Sequence, residues 1–203
     1  VANTQSQYGF AHFGYLPGYA VDYQLTQVPI RPAYSTQIGF GDPVVKEATN
    51  SAFIALATPT TVTSNVLMGI FQGCWYTPSG GGAPIYSPFW PGAQGGTVAT
   101  AYIINSPGAL FRVASYSAPL GSGTIGELVN FSGGAPNTTG GGFSIATIDP
   151  GTVATAGTTA SALPFKIVSL YPGIGNGSDP TTNYNWVIVA FNSQTYRTLG
   201  GGL

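Results

Sequence analysis

Charge is what this sequence has least of. Lys and Arg number five and Asp and Glu six in 203 residues, so charged side chains make up 5% of the chain, against about 25% in an average soluble protein. The five cations, Arg31, Lys46, Arg112, Lys166 and Arg197, are scattered singly. Nucleic acid backbones are followed by clustered cations, so the chain is expected not to bind nucleic acid. So uncharged a surface must stay dispersed through Ser, Thr, Asn, Gln and Tyr, or be covered in an assembly. Assembly is the favoured expectation.

Cysteine and histidine are equally scarce, with Cys74 and His12 the sole examples. One cysteine excludes an internal disulfide and, with one histidine, leaves no Cys/His metal cluster. No metal and no cofactor are expected. Cys74 and His12 form the one conceivable thiol–imidazole pair, but a hydrolase would also need an orienting group and an oxyanion site. Cys74 lies in an apolar strand-like run, where a free cysteine packs as a small hydrophobe, and His12 sits among aromatic residues. The expectation is a protein that is not an enzyme. The carboxylates Asp22, Asp42, Glu47, Glu127, Asp149 and Asp179 are far apart in sequence. Asp42, Asp149 and Asp179 each precede proline, which is common turn chemistry.

Long hydrophobic runs are missing as well. "YNWVIVAF", from Tyr184, falls far short of the ~20 residues of a membrane helix, and the charged lumen of an outer-membrane barrel has no counterpart here. No membrane association is expected. The amino terminus shows no basic stretch followed by an apolar one, so no export signal is expected. The triplets at Asn130, Asn137 and Asn176 then read as polar turns rather than glycan sites. The runs "SGGGA", "TGGG" and "LGGGL" lack the Lys and Ser/Thr of a P-loop and read as loops.

What is abundant is glycine, 30 residues, with 12 Tyr and 11 Phe. No window holds the apolar period of a helix for three turns, and Gly, Pro and Thr punctuate throughout. The candidate strands are 52–57, 66–76, 85–90, 98–104, 109–115, 143–148, 163–171 and 185–192. In "ALFRVAS", Phe111 and Val113 share a face and Arg112 opposes them; in "LPFKIVSL", Phe165 and Ile167 oppose Lys166. "NWVIVAF" is apolar on both faces and suits a central strand or one covered by a partner. Short strands without crossover helices predict an all-β fold, an antiparallel barrel or jelly-roll-like sandwich with long Gly-rich loops.

Two segments stand apart. Residues 1–35 carry Tyr8, Phe10, Phe13, Tyr15, Tyr19 and Tyr23 without a stable period and read as an extended arm on a single body, 36–203. Residues 117–142 read as a long loop, with "TIGELVNF" one helical turn or a short strand. Between them, "GCWYTPSGGGAPIYSPFWPG" reads as a hairpin with Gly69, Phe71, Gly73 and Trp75 on one face. Trp75, Tyr86 and Trp90 are possible ligand platforms, although packing is the favoured role for such rings.

In order along the chain, "YGFAHFGYLPG", "YSTQIGFGDPVV", "NVLMGIFQGCWY", "YSPFWPG", "VATAYIINSPGALFRVA", "LPFKIVSLYPG" and "WVIVAFNSQ" resemble the decoration (cement) proteins of tailed-bacteriophage heads. These strings span most of the chain. Two departures are Asn105, Ser106 and Pro107 where an acidic turn is expected, and the ending "TYRTLGGGL" in place of a more charged one. The resemblance implies a virion structural protein, made in the host cytoplasm, that sits on the outer capsid surface and clamps neighbouring major capsid protein subunits. It also implies self-association, as a trimer or dimer around a symmetry axis. The contacts expected to serve it are Tyr8, Phe10, His12, Phe13, Tyr15, Tyr19, Tyr23, Phe89 and Trp90. The alternative is a carbohydrate-binding module with Trp75, Tyr86 and Trp90 as its platform.

Overall fold

The computed structural model describes residues 3, 8–21, 24–61, 66–94, 97–133, 141–154 and 163–195. Strands and turns dominate them, with no α-helix among the described residues. One set of strands comprises β2 (Thr26–Ile30), β3 (Pro43–Lys46), β4 (Ile54–Leu56), β5 (Leu67–Tyr76), β6 (Ile85–Ser87) and β7 (Ala99–Ile104). Their order is β3-β4-β2-β7-β5-β6, and β3 also pairs with β5. That extra pairing closes β3, β4, β2, β7 and β5 into a five-stranded barrel, leaving β6 as an outer flap on β5. Closure removes sheet edges that would otherwise expose unpaired backbone groups.

Alternation fills the barrel. Ala99, Ala101 and Ile103 of β7 point inward with Val28 and Ile30 of β2, Val44, Ile54, Met68, Phe71 and Cys74. Small alanines on one wall leave room for Phe71 and for Trp90, which is fully buried. Trp90 Nε1 donates to the Tyr34 carbonyl at 3.0 Å, so the indole's one polar atom is satisfied inside. Trp90 also exchanges backbone hydrogen bonds with Ile38.

The expected parity of β5 does not hold along its whole length. Register shifts against β7 between Phe71 and Gly73 and against β3 at Val44/Val45 insert extra residues, and each bulge exchanges the inner and outer sides for the residues beyond it. Phe71 and Cys74 both face inward, whereas Trp75 faces out and is 44% exposed. Trp75 and Trp90 therefore lie on opposite sides of the barrel wall.

The second layer is a five-stranded sheet of order β1-β8-β13-β12-β9, formed by β1 (Ala11–Tyr15), β8 (Ala109–Ala114), β9 (Leu128–Val129), β12 (Phe165–Leu170) and β13 (Trp186–Phe191). A short pair, β10 (Phe131–Ser132) and β11 (Thr147–Ile148), flanks it. As expected, β13 is central, and Phe111, Val113, Phe165 and Ile167 face one core. Val45, Leu67 and Ile70 of the barrel join that core, so β3 and β5 present one face to each cluster. The architecture is a mostly antiparallel β-barrel, in which β2 and β4 pair in parallel, and a sheet that shares a wall with it.

The division into an arm, 1–35, and a body, 36–203, is corrected by these pairings. Residues 11–15 are the edge strand β1, antiparallel to β8, and residues 26–30 are a barrel stave between β4 and β7. Phe10 is fully buried among Phe111, Phe131 and Phe165. The segment escapes pattern recognition because its strands are short and Pro29 interrupts one of them. Of the expected long loop, 117–142, residues 117–133 hold a 3₁₀ turn at Ser122–Thr124 followed by β9 and β10, and residues 134–140 lie outside the described residues.

Asp149 and Asp179 make the expected turns, accepting from Gly151 N and Thr181 N at 2.9 Å. Asp42 does more. Fully buried, it accepts from Gly39 N and, in a very short hydrogen bond, from the Ser144 hydroxyl. Ser144 N bonds to Phe40 O, and Phe10 N bonds to Gly41 O. Asp42 thus sits where residues 8–10, 39–42 and 142–146 meet.

Candidate functional site

The outward face of β6, β5 and β7 gathers the barrel's exposed rings. Trp75 pairs with Tyr86 across β5–β6 and with Thr100 across β5–β7, and Tyr102 stands opposite Gly73. The Trp75 and Tyr86 rings meet edge to face with centroids 6.0 Å apart, and Tyr86 reaches Tyr102 at 6.5 Å. Ile85, Tyr86 and Val98 are 43%, 52% and 52% exposed. These rings stand out because the other face of the same strands fills the barrel, leaving every second side chain to the surface.

Gly73 sets the position of Tyr86. Its φ is +127°, outside the range of most L residues, and a Cβ there would collide with the Tyr86 hydroxyl and lie 2.9 Å from Ser87 O. The bare backbone lets Tyr86 lie across β5 and donate its hydroxyl proton to Gln72 O at 3.0 Å. Burial raises the Tyr86 phenol above its ordinary range, with Cys74 and Tyr102 adding to the effect. The phenol stays neutral and remains a hydrogen-bond donor.

Beside these rings runs a shallow groove of about 340 Å³, lined by Trp75, Tyr76, Thr77, Pro84, Thr97, Val98 and Thr100. A second depression, about 190 Å³, continues past Thr100 to Gln27, Val28 and Pro29. Neither lining contains Asp, Glu, Lys, Arg or His. The surface offers apolar area, aromatic faces and hydroxyls, a composition for contact rather than proton transfer.

The residues singled out from sequence divide sharply. Phe10 and Trp90 are core, which removes both as contacts in the folded chain. Phe89 is half-buried and packs so closely on Gly142 that a Cβ there would overlap its ring. Tyr8, Phe13 and Tyr19 are 51%, 46% and 45% exposed. Tyr8 meets Phe143 edge-on at 5.2 Å, Phe13 meets Tyr171 at 6.3 Å, and Tyr19 covers Gly108. Tyr15 is half-buried against the inter-layer core, edge-on to His12. Tyr23 lies outside the described residues.

His12 and Cys74 are not brought together as a pair. His12 lies on β1 against Phe111, with Nε2 sealed from solvent and unpartnered. Burial lowers its pKa, opposed by a backbone hydrogen bond to Gly14. Cys74 is inside the barrel, its thiol pushed up to about 12 by burial, with Sγ 3.6 Å from Phe89 O. A thiol so protonated is no nucleophile. Among the described residues, no group of three His, Cys, Asp or Glu side chains is placed to hold a metal, and no helix is long and apolar enough to cross a membrane. Asn130 is buried, its amide donating to Pro59 O at 3.1 Å, so that triplet is occupied by the fold.

Tyr102, Ile85 and Thr100 were not singled out from sequence. The signal for two of them lies in "VATAYII", where Thr100 and Tyr102 alternate with the inward Ala99, Ala101 and Ile103. No protein-family model, curated protein or solved structure matches the chain.

Proposed function

We propose that this chain is a non-enzymatic virion structural protein that sits on the outside of a phage capsid and cements neighbouring major capsid protein subunits. The observation that carries this is the outward aromatic wall, Trp75, Tyr86 and Tyr102 with Ile85 and Val98. It stands on a closed barrel in a chain with only 5% charged residues. Exposed rings and branched apolar side chains on a rigid scaffold lose little conformational entropy on docking. The partner in this reading comes from the resemblance of the ordered strings to head decoration proteins. Binding the assembled lattice and not its dispersed subunits would stabilise the shell by mass action. Synthesis in the host cytoplasm and self-association as a trimer or dimer on the capsid surface belong to the same proposal.

Purified protein added to expanded shells lacking it should co-sediment in fixed ratio to the shell protein and raise the shells' melting temperature. Absence of saturable co-sedimentation would sink the proposal.

One observation favours a carbohydrate-binding module instead: the groove sets the Trp75 ring beside Thr77, Thr97 and Thr100, an aromatic floor with hydroxyl neighbours that suits a sugar ring. Trp90 plays no part in that platform, being core. A glycan array separates the two, since a structural cement should give no response across a broad panel.

A further inference from the structure

The sheet layer carries a separate feature on the face away from its core. Arg112 of β8 sits opposite Ala11 of β1 and Ile188 of β13. Its guanidinium carbon lies 4.2 Å from the Trp186 ring centroid and 5.4 Å from that of Tyr171. Tyr171 in turn meets Trp186 at 5.1 Å and Phe13 at 6.3 Å. The indole is fixed in place. Gly177, at φ +84°, lies so close that a Cβ would overlap the ring, and Trp186 N bonds to Gly177 O at 2.7 Å. Asn3 caps the same turn, accepting from Gly177 N at 2.8 Å.

Arg112 therefore rests on ring contacts. Among the described residues it has no carboxylate partner and no hydrogen bond, and none of its nitrogens is sealed from solvent without a partner. Arg31 shows the contrast, its Nε bonded to both Glu47 carboxylate oxygens at 2.9 and 3.1 Å. A guanidinium resting on a ring keeps its donors in plane and free, in the fork geometry that matches a carboxylate. Arginine on half-buried aromatic rings, with the exposed Phe13 beside them, is also the composition of energetic centres in protein interfaces.

We propose that Arg112 receives an Asp or Glu carboxylate from a protein partner, with an adjoining apolar side chain of that partner seated on Phe13 and Tyr171. Charge complementarity selects the occupant: among the described residues this cation has no counterion, and the ring contacts around it are aromatic. The proposal deepens the reading of the chain as a protein-binding structural module by naming the chemistry of one contact. It places that contact on the sheet layer, apart from the aromatic wall of the barrel, so that one molecule has two surfaces with which to bridge neighbours.

The test uses the intact chain and a blocked pentapeptide with one Glu between two Leu, its Gln counterpart serving as control. Nuclear magnetic resonance follows the Arg112 Nε–H and Trp186 Nε1–H signals. The Glu peptide should shift both with a dissociation constant in about the millimolar range, weaken as salt rises, and bind at least about tenfold more tightly than the Gln peptide. Arg112→Lys keeps the charge but loses the planar fork, and should weaken Glu-peptide binding about tenfold; Arg112→Gln should abolish the Glu/Gln preference. Where Arg112→Gln fails to fold, the peptide contrast and the lysine variant decide alone. Equal binding of the two peptides, or unaltered binding to Arg112→Lys, overturns the proposal. So does a response to glucuronate or inorganic phosphate but not to the peptide. No shell is present, so a chain that sediments with shells yet ignores the peptide refutes this contact and leaves the capsid function standing.

Discussion

The ring of Phe10 stacks on that of Phe165, centroids 4.5 Å apart and planes 21° from parallel. Phe165 stacks in turn on Phe191 at 5.9 Å, and Phe111 closes the group edge-on to Phe10 and Phe191. A residue near the amino terminus thus occupies the centre of the core between the layers. Phe10→Ala should cost about 3–5 kcal/mol, the usual range for a fully buried phenylalanine. Removing residues 1–30 would take away this ring, the edge strand β1 and the barrel stave β2 together. The truncated chain should fail to give a cooperative thermal transition, whereas a folded, particle-free remnant would show the amino-terminal segment to be a true arm.

Asp42 gives stability an unusual pH dependence. Burial raises its pKa from 3.8 to about 7, against the lowering effects of Ser144 and Gly39. A carboxyl whose folded pKa is raised stabilises fully below its unfolded value, and that contribution is lost as pH rises through the folded one. Between about pH 4 and 7, Asp42 should therefore withdraw a few kcal/mol of stability as pH rises, each tenfold change in proton affinity being worth about 1.4 kcal/mol. His12 acts oppositely: its lowered pKa favours folding above the imidazole's ordinary 6.5 and costs stability as pH falls. Denaturant midpoints for the wild type should fall from pH 4 to pH 8. Asp42→Asn should remove that fall and leave the shallower rise due to His12; a variant with the wild-type slope would show that Asp42 is not the titrating group.

Gly73→Ala tests how the outer flap is held. The substitution forces an L side chain to φ +127° and drives its Cβ into Tyr86 and toward Ser87 O, so about 1–3 kcal/mol of destabilisation is expected. The effect should be local to β6, because β6 lies outside the closed ring. Hydrogen exchange should accelerate at residues 85–87 before it does at 99–104. Uniform acceleration across the barrel would mean that the flap is part of the cooperative unit.

Legibility followed length and alternation. β8, β12 and β13 announced themselves because six-residue strands with a single charge or none show which side is wet, as Arg112 and Lys166 did. β1, β2 and β3 were missed because four or five residues are too few for period two to stand out, and two of these strands contain proline. The barrel's closure rests on the β3–β5 pairing, a long-range relationship that no local pattern encodes. For the aromatic wall, the sequence showed the rings of Trp75, Tyr86 and Trp90 but not their sides. The bulges in β5 decide the first, and burial as a barrel plug decides the last.

Trp75 is where a contact role separates most cleanly from a packing role. It is 44% exposed, and among ring partners it meets Tyr86 edge to face, so Trp75→Ala removes a large apolar surface without opening a core cavity. Stability should change by about 1 kcal/mol or less. Binding to expanded shells should weaken by at least about 2 kcal/mol, roughly thirtyfold, as for a buried aromatic anchor at an interface. The control is Trp90→Phe, which disturbs the barrel core and removes the hydrogen bond to Tyr34. It should lower the melting temperature while leaving shell affinity intact below the transition. Equal loss of affinity in both variants would trace binding to barrel integrity rather than to the outward ring, whereas loss confined to Trp75→Ala would locate the contact on the wall formed by β5, β6 and β7.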